Sequence, residues 1–201
     1  GAVFMAQGIS RASISTANPQ VGVCMATSGP GAMNLVTGIA DAWMDSVPVL
    51  SITGQVPTGV IATDAFQESD VVGVMMPLTK QTYMPLSVND IEETIHEAMY
   101  VASTGRGGPV VVDIPKDIQN DDTDADYQFD PNTYEPDLPG FFYSPMPDRE
   151  LIRKAVGLIN RSERPIILCG HGVINSNAGQ NLTLFAEKAH IPIAFTLHGL
   201  S

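Results

Sequence analysis

The sequence predicts an α/β fold, a doubly wound parallel sheet followed by part of a second α/β domain. Three continuous apolar runs, at 21–26, 47–53 and 110–114, are typical of parallel strands buried on both faces. Segments with helical spacing of apolar residues separate these runs. The Gly/Pro-rich turn at 28–31 joins the first strand to the helix that follows. In sheets of this kind, sites form at the carboxyl ends of the strands, so this turn is the first candidate for a site.

Helices are predicted before and between the three strands. Residues 1–15 combine spaced apolar side chains with small ones, which predicts a helix packed closely on the sheet. The same reasoning predicts further helices at 34–44, 67–74 and 89–103. Asn89 is expected to cap the last of these helices. Residues 1–117 are therefore assigned to one domain.

The segment 118–147 is predicted to be an interdomain linker. Prolines interrupt any periodicity there, and a run of aspartates indicates a solvated chain rather than a metal site. After it, 148–201 predicts the start of a second α/β domain, with helices at 148–160 and 178–190, strands at 165–169 and 192–196, and a turn at 170–172. Because two strands are few for such a sheet, the sequence is expected to be a fragment of a longer enzyme.

Composition excludes some classes of partner. The formal net charge of −12 and the pI near 4.4 argue against nucleic acid and anionic membranes. No apolar stretch is long enough to span a membrane. Cys24 and Cys169 lie in apolar runs and are expected to be buried free thiols, which fits a reducing compartment. The four histidines lack the spacing of a metal site, so no metal ligand is predicted.

Several short motifs together point to a family. Thr-Ser-Gly-Pro-Gly at 27–31, Thr-Gly-Gln-Val-Pro at 53–57 and Thr-Asp-Ala-Phe-Gln-Glu at 63–68 are followed by Thr-Lys at 79–80 and a Gly-rich turn with a strand at 105–117. In this order and spacing the chain resembles the large subunit of acetolactate synthase, a thiamine-diphosphate enzyme. The resemblance implies condensation of pyruvate with pyruvate or 2-oxobutanoate, with decarboxylation, in branched-chain amino-acid biosynthesis.

The resemblance also implies roles for individual residues. It assigns catalytic roles to Gln67 and Phe66, because the glutamine amide can donate to a keto oxygen or oxyanion. It places the catalytic glutamate of the family just before Gly1, so this chain alone is expected to be inactive. Residues matching the family's cofactor loop are Thr27, Ser28, Gly29, Pro30, Gly31 and Asn34, and residues matching its substrate channel are Gln55, Pro57, Lys80 and Lys116.

Some of these residues have simpler interpretations. Gln55 can bond backbone groups at the end of a strand, and Lys80 can be a surface charge. Of the cofactors that the resemblance implies, Mg²⁺ would be bound in a C-terminal domain absent from this sequence. FAD would lie by Gly170, Gly172 and Thr196, although His171, in place of a glycine, is expected to crowd the flavin.

The resemblance further implies 2-keto-acid substrates, a homodimer or tetramer, and a regulatory subunit as a further partner. It implies a location in the cytoplasm, or in a mitochondrion or plastid of a eukaryote. One alternative is another thiamine-diphosphate enzyme, such as a glyoxylate carboligase, a pyruvate oxidase or a 2-keto-acid decarboxylase. A different class is a non-catalytic α/β binding module, but neither GxGxxG nor GxxxxGK[ST] is present.

Overall fold

The computed structural model describes residues 1–14, 16, 18–123, 136, 138 and 146–200. The chain forms two compact units, Gly1–Ser13 with Pro19–Phe141 and Ile14–Asn18 with Phe142–Ser201. Most of the predicted linker at 118–147 lies outside the described residues, so that boundary stays a prediction.

The first unit is built on a four-stranded parallel sheet. Its strands are β1 (Gly22–Ala26), β2 (Val49–Gln55), β3 (Gln81–Tyr83) and β4 (Pro109–Pro115), in the order β1-β2-β4-β3. The parallel α/β fold class is thereby confirmed, with all three predicted strands. The sequence missed β3, because three residues of mixed polarity make no apolar run.

Helices cover both faces of this sheet. They are α1 (Ala2–Ser13), α2 (Pro30–Met33), α3 (Val36–Asp45), α4 (Val71–Met75), α5 (Ile91–Ser103) and α6 (Lys116–Gln119). Val111 of β4 packs in a core with α1, α3 and α4, whereas Val110 and Val112 pack with α5 on the other face. Every residue of β4 is buried as a result, which is why its sequence is apolar almost throughout.

Three predicted helix boundaries were wrong. The helix expected at 34–44 is the pair α2 and α3, and it begins earlier, at Pro30, whose fixed φ suits a first turn. The helix expected from Gln67 begins only at Val71, where the Asp70 side chain accepts a hydrogen bond from the Gly73 amide. Asn89 is not a cap, because Ser87 caps a 3₁₀ turn at 88–90 that precedes α5.

Helix α1 lies on the sheet at very short range. Gly22 of β1 faces the backbone of Ala6, with no room for a side chain between them. Ser10 accepts a hydrogen bond from the Gly22 amide at 2.8 Å and donates to the carbonyl of Pro48 at 2.6 Å. Gln7 donates to the carbonyl of Gly38 at 2.7 Å, which ties α1 to α3. The small residues predicted on this helix therefore serve close packing.

The second unit contains a two-stranded parallel sheet of β5 (Ile167–Cys169) and β6 (Ile193–Phe195). Its helices are α7 (Arg149–Arg161), α8 (His171–Asn175) and α9 (Gly179–Ala189). Both strands and both long helices were predicted, whereas the expected turn at 170–172 is in fact the start of α8. Among the described residues, none of the helices has the length and apolar character needed to cross a membrane.

Candidate functional site

A cavity of about 490 Å³ opens at the carboxyl ends of β1, β2 and β4. This is the edge at which parallel α/β sheets place their sites. Five of the residues singled out in the sequence line it, namely Thr27, Ser28, Gln55, Gln67 and Lys116. Met25, Ile52 and Ile114 add apolar surface, and Gln119 adds an amide. The sequence did not single out these last four residues, because strand side chains next to a site look like any core residue and Gln119, in the short helix α6, belongs to none of the motifs.

The turn after β1 is shaped by Gly29. Its φ of 56° and ψ of −116° belong to a region that only glycine adopts readily. A Cβ on Gly29 would overlap the carbonyl group of Gln67, with the carbonyl carbon 2.8 Å away. The turn and the loop that carries Gln67 are therefore in backbone contact, although 38 positions separate them in the sequence.

The Gln67 loop has an unusual backbone. Ala62, Asp64 and Gln67 all have φ near 60°, which is uncommon for residues other than glycine. Phe66, beside Gln67, is 89% exposed and does not line the cavity. Strained backbone of this kind concentrates at functional sites, where neighbouring groups hold it in place. This loop therefore places Gln67, an exposed residue, at the cavity and leaves the side chain of Phe66 at the surface.

Gln55 lines the cavity, but its amide is bound within the protein. Its nitrogen donates to Asp113 Oδ2 and to the carbonyl of Ser69, each at 2.9 Å, and its oxygen accepts from the Val56 amide at 2.8 Å. Thr53 donates to Asp113 Oδ1 at 2.6 Å. The simpler interpretation of Gln55, as a residue that bonds groups at the strand end, matches these contacts.

Asp113 is a fully buried carboxyl group in the middle of β4. Burial raises its pKa to about 6, and the charge of Asp70 adds to this rise, whereas the hydrogen bonds from Thr53 and Gln55 oppose it. The sequence offered a signal for this network, since an aspartate inside a buried apolar strand requires donors nearby.

Asp113 should make the stability of the first unit depend on pH. Because its pKa is higher in the folded than in the unfolded state, stability falls as the pH rises from about 4 through about 6. Asp113→Asn lacks this titration, so its stability relative to the native chain should improve by about 2 to 3 kcal/mol over that range. Urea unfolding of the 201-residue chain at several pH values, followed by fluorescence of Trp43, measures this. A pH-independent difference would contradict it.

Lys80 lies at the opposite end of the sheet. Its backbone amide donates to the carbonyl of Pro109, the first residue of β4, at 2.9 Å. Its ammonium donates to the carbonyls of Val101 and of Thr104, the latter at 2.7 Å. Burial lowers its pKa to about 8. Lys80 thus fastens the end of α5 and does not line the cavity.

The other predicted residues of the first unit do not line the cavity. Gly31 packs against the side chain of Thr27, and Pro30 starts α2. Asn34 follows α2 and is exposed, and Pro57 precedes the 3₁₀ turn at 58–60.

In the second unit, two of the predicted flavin-side residues meet at the carboxyl ends of β5 and β6. A Cβ on Gly170 would lie 3.9 Å from Thr196 Oγ1, and a Cβ on Gly172 would have no neighbour within 4 Å. The His171 ring turns towards the chain after β6, where its Nδ1 lies 3.0 Å from the carbonyl oxygen of His198.

Family comparisons give these two units an identity. Residues 1–74 match the model for the thiamine pyrophosphate enzyme, N-terminal TPP binding domain. Residues 152–201 match the model for the central domain of the same enzymes. The chain belongs to the thiamine pyrophosphate enzyme family. The cavity at the sheet edge thus lies in the unit whose start matches the TPP-binding domain.

Individual members of the family are close in sequence. The chain is 49% identical to the acetolactate synthase large subunit of Corynebacterium glutamicum over 90% of its length, and 47% identical to the probable large subunit of Methanocaldococcus jannaschii over 98%. It is 46% identical to the chloroplastic acetolactate synthase 1 of Oryza sativa over its whole length. It spans 28%, 32% and 30% of these three proteins, respectively. The resemblance seen in the short motifs is confirmed.

The cavity lining fits the pyrimidine half of thiamine diphosphate. A flat, aromatic ring with polar substituents needs an apolar floor and a polar rim. Met25, Ile52 and Ile114 supply apolar surface, while Thr27 and Ser28 supply polar groups beside it. When bound, the cofactor supplies a reactive carbon.

Proposed function

We propose that the complete protein carrying this chain is an acetolactate synthase, which condenses two 2-keto acids with loss of carbon dioxide. The observation that carries the proposal is the identity of 49% and 47% to acetolactate synthase large subunits from a bacterium and an archaeon. The cavity supports it, because it combines apolar surface with a side-chain amide and a cation at one sheet edge.

Gln67 is the residue proposed to contact the reacting atoms. Two of the glutamines on the cavity, Gln55 and Gln119, donate their amides to protein groups. Within the part of the chain that the structure describes, the Gln67 side chain makes no hydrogen bond, so its amide can donate to a keto oxygen. Such a donor is most effective where negative charge develops in the transition state.

Lys116 is proposed to attract the substrate. It is exposed at the start of α6 and lines the cavity. A 2-keto acid carries a carboxylate, which a cation at the entrance favours electrostatically. Lys80, predicted for the same role, lies at the other end of β4 and is not included in this proposal.

Further cofactors and partners are proposed from the resemblance. FAD would lie by Gly170, Gly172 and Thr196, and the open space over Gly172 supports this position. Mg²⁺ would bind the diphosphate group, and no ligand for it is assigned among the described residues. A homo-oligomer, a regulatory subunit, and a location in the cytoplasm or an organelle complete the proposal.

Gln67→Ala should lower acetolactate formation about 100-fold in kcat, the usual effect of losing one donor to a developing negative charge. Because Gln67 is not assigned to the cofactor, the Kd of thiamine diphosphate should change by less than about threefold. The protein is expressed from the complete reading frame and assayed for its product from pyruvate.

Gln119→Ala is the matched control, since Gln119 also lines the cavity but its amide is bound to the carbonyl of Ile114 at 2.6 Å. It should keep kcat within about threefold of the native protein. Unchanged acetolactate formation in Gln67→Ala would remove Gln67 from its role. Release of an aldehyde by the native protein, with no acetolactate, would instead indicate a 2-keto-acid decarboxylase.

A further inference from the structure

In the loop between β2 and α4, one carboxylate accepts hydrogen bonds from the backbone of the loop itself. Glu68 lies at the end of the turn that contains Ala62, Asp64 and Gln67, the three residues with φ near 60°. One oxygen of Glu68 accepts from the amide of Ala62, and the other accepts from the amide of Ala65 at 2.9 Å. The carboxylate thus bridges both sides of the turn.

These contacts stabilise the ionised form of Glu68. The amides of Ala62 and Ala65 contribute most to lowering the pKa of this carboxyl, and those of Thr63 and Asp64 add to it. Successive backbone amides that converge on one anion form a nest, a conformation in which left-handed residues alternate with ordinary ones. The anion here is the Glu68 side chain, so a group of the loop itself stabilises the conformation of the loop.

The two ends of the loop are held separately. At its start, Asp117 accepts from the amide of Thr58 at 3.0 Å and from the Thr58 hydroxyl. At its end, the Gln55 amide donates to the carbonyl of Ser69 at 2.9 Å. Neither contact involves residues 61–67. Three contacts hold the tip: those of the Glu68 carboxylate, the hydrogen bond from the Thr63 hydroxyl to the carbonyl of Val60 at 2.7 Å, and the contact between Gln67 and Gly29.

We propose that Glu68 is a positioning residue, which holds the tip of this loop so that the Gln67 side chain faces the cavity. Gln67 precedes Glu68 directly, has a left-handed backbone, and contacts Gly29 of the turn after β1 through its carbonyl group. The hydrogen bonds to the carboxylate offset the unfavourable free energy of the left-handed residues. Without them, the tip relaxes to commoner backbone conformations. The inference rests on the proposed function only in the role of Gln67.

Glu68→Gln is the test, because it keeps the size of the side chain but replaces one of the two acceptor oxygens by an NH₂ group, so that the amides of Ala62 and Ala65 can no longer each donate to an oxygen of their own. Two measurements are made on the protein from the complete reading frame. Amide exchange over 61–68 should become about tenfold faster or more, and kcat for acetolactate should fall about 10- to 100-fold with little change in KM. Asp64→Asn is the control, since it removes one negative charge from the same loop and asparagine tolerates the left-handed conformation. It should leave both measurements unchanged.

A double variant separates positioning from an independent role. If Glu68 acts through Gln67, adding Glu68→Gln to Gln67→Ala should lower kcat by less than about twofold further. Multiplicative losses in the double variant would overturn the inference, as would unchanged amide exchange in Glu68→Gln. Faster exchange combined with full activity of Gln67→Ala would show that the carboxylate holds the loop while the catalytic role of Gln67 fails, and with it the positioning role.

Discussion

Replacing Gly22 by alanine is expected to destabilise the first unit by about 3 kcal/mol or more. The added Cβ would overlap the carbonyl oxygen of Ala6 and lie 2.5 Å from its carbonyl carbon. Both of these Ala6 atoms belong to the backbone, so neither can rotate away from the new Cβ as the end of a flexible side chain would. Helix α1 must therefore move off β1, and the hydrogen bond from the Gly22 amide to Ser10 is lost with it.

The measurement is urea unfolding of the 201-residue chain, followed by tryptophan fluorescence. Trp43 is the sole tryptophan of the sequence and lies in α3, so its signal reports the first unit. Gly8→Ala is the matched control. Gly8 lies in α1, the helix that packs on Gly22, but a Cβ at this position would meet nothing within 4 Å. Since alanine favours a helix over glycine, this control should gain about 0.5 to 1 kcal/mol. Equal midpoints for Gly22→Ala and the native chain would contradict the packing described for α1.

Gly29→Ala is expected to leave the first unit folded and to lower acetolactate formation about 100-fold, because small displacements at a reacting centre have effects of this size. The φ of 56° and ψ of −116° are unfavourable for any residue with a Cβ, and the Cβ would overlap the carbonyl of Gln67. The turn after β1 and the Gln67 loop must then separate. The cavity between them would lose its shape, and the Gln67 amide would leave its position.

The test compares kcat for acetolactate, and the Kd of thiamine diphosphate, in the protein from the complete reading frame. Gly59→Ala is the control. Gly59 lies in the loop that carries Gln67, but a Cβ there would have no neighbour within 4 Å. It should behave as the native protein does. Activity of Gly29→Ala within about twofold of native would show that contact between the turn and the Gln67 loop is not needed for function.

Sequence patterns were most informative where a residue's environment is set by its own strand or turn. The runs at 21–26 and 110–114 predicted β1 and β4. Burial on both faces was correct for β4, which is buried throughout, and wrong for β1, in which Val23 and Met25 are exposed. The Gly/Pro turn at 28–31 was placed correctly at a strand end on the sheet edge where the cavity opens. The family motifs then identified the fold and the family together.

The same reasoning failed where distant residues determine the conformation. The apolar residues after Gln67 suggested a helix over 67–74, but contacts with Gly29 and the carboxylate of Glu68 accompany a left-handed Gln67. Lys80 is close to the motifs in the sequence, yet the short strand β3 carries it to the amino end of β4. The sequence around a three-residue strand does not show how the strand pairs, and therefore does not show at which end of the sheet Lys80 lies.

The sequence by itself thus determined the class of fold, the buried strands and the family, since these depend on hydrophobic pattern and short motifs. Only the tertiary structure decided which side chains meet at the cavity. Gln55 and Asp113 are 58 positions apart, and their hydrogen bond occupies the Gln55 amide. Gln67 lines the same cavity, and its amide makes no hydrogen bond to another described residue. The physical reason is that a buried charge must find donors wherever the fold brings them, and this requirement acts in space rather than along the chain.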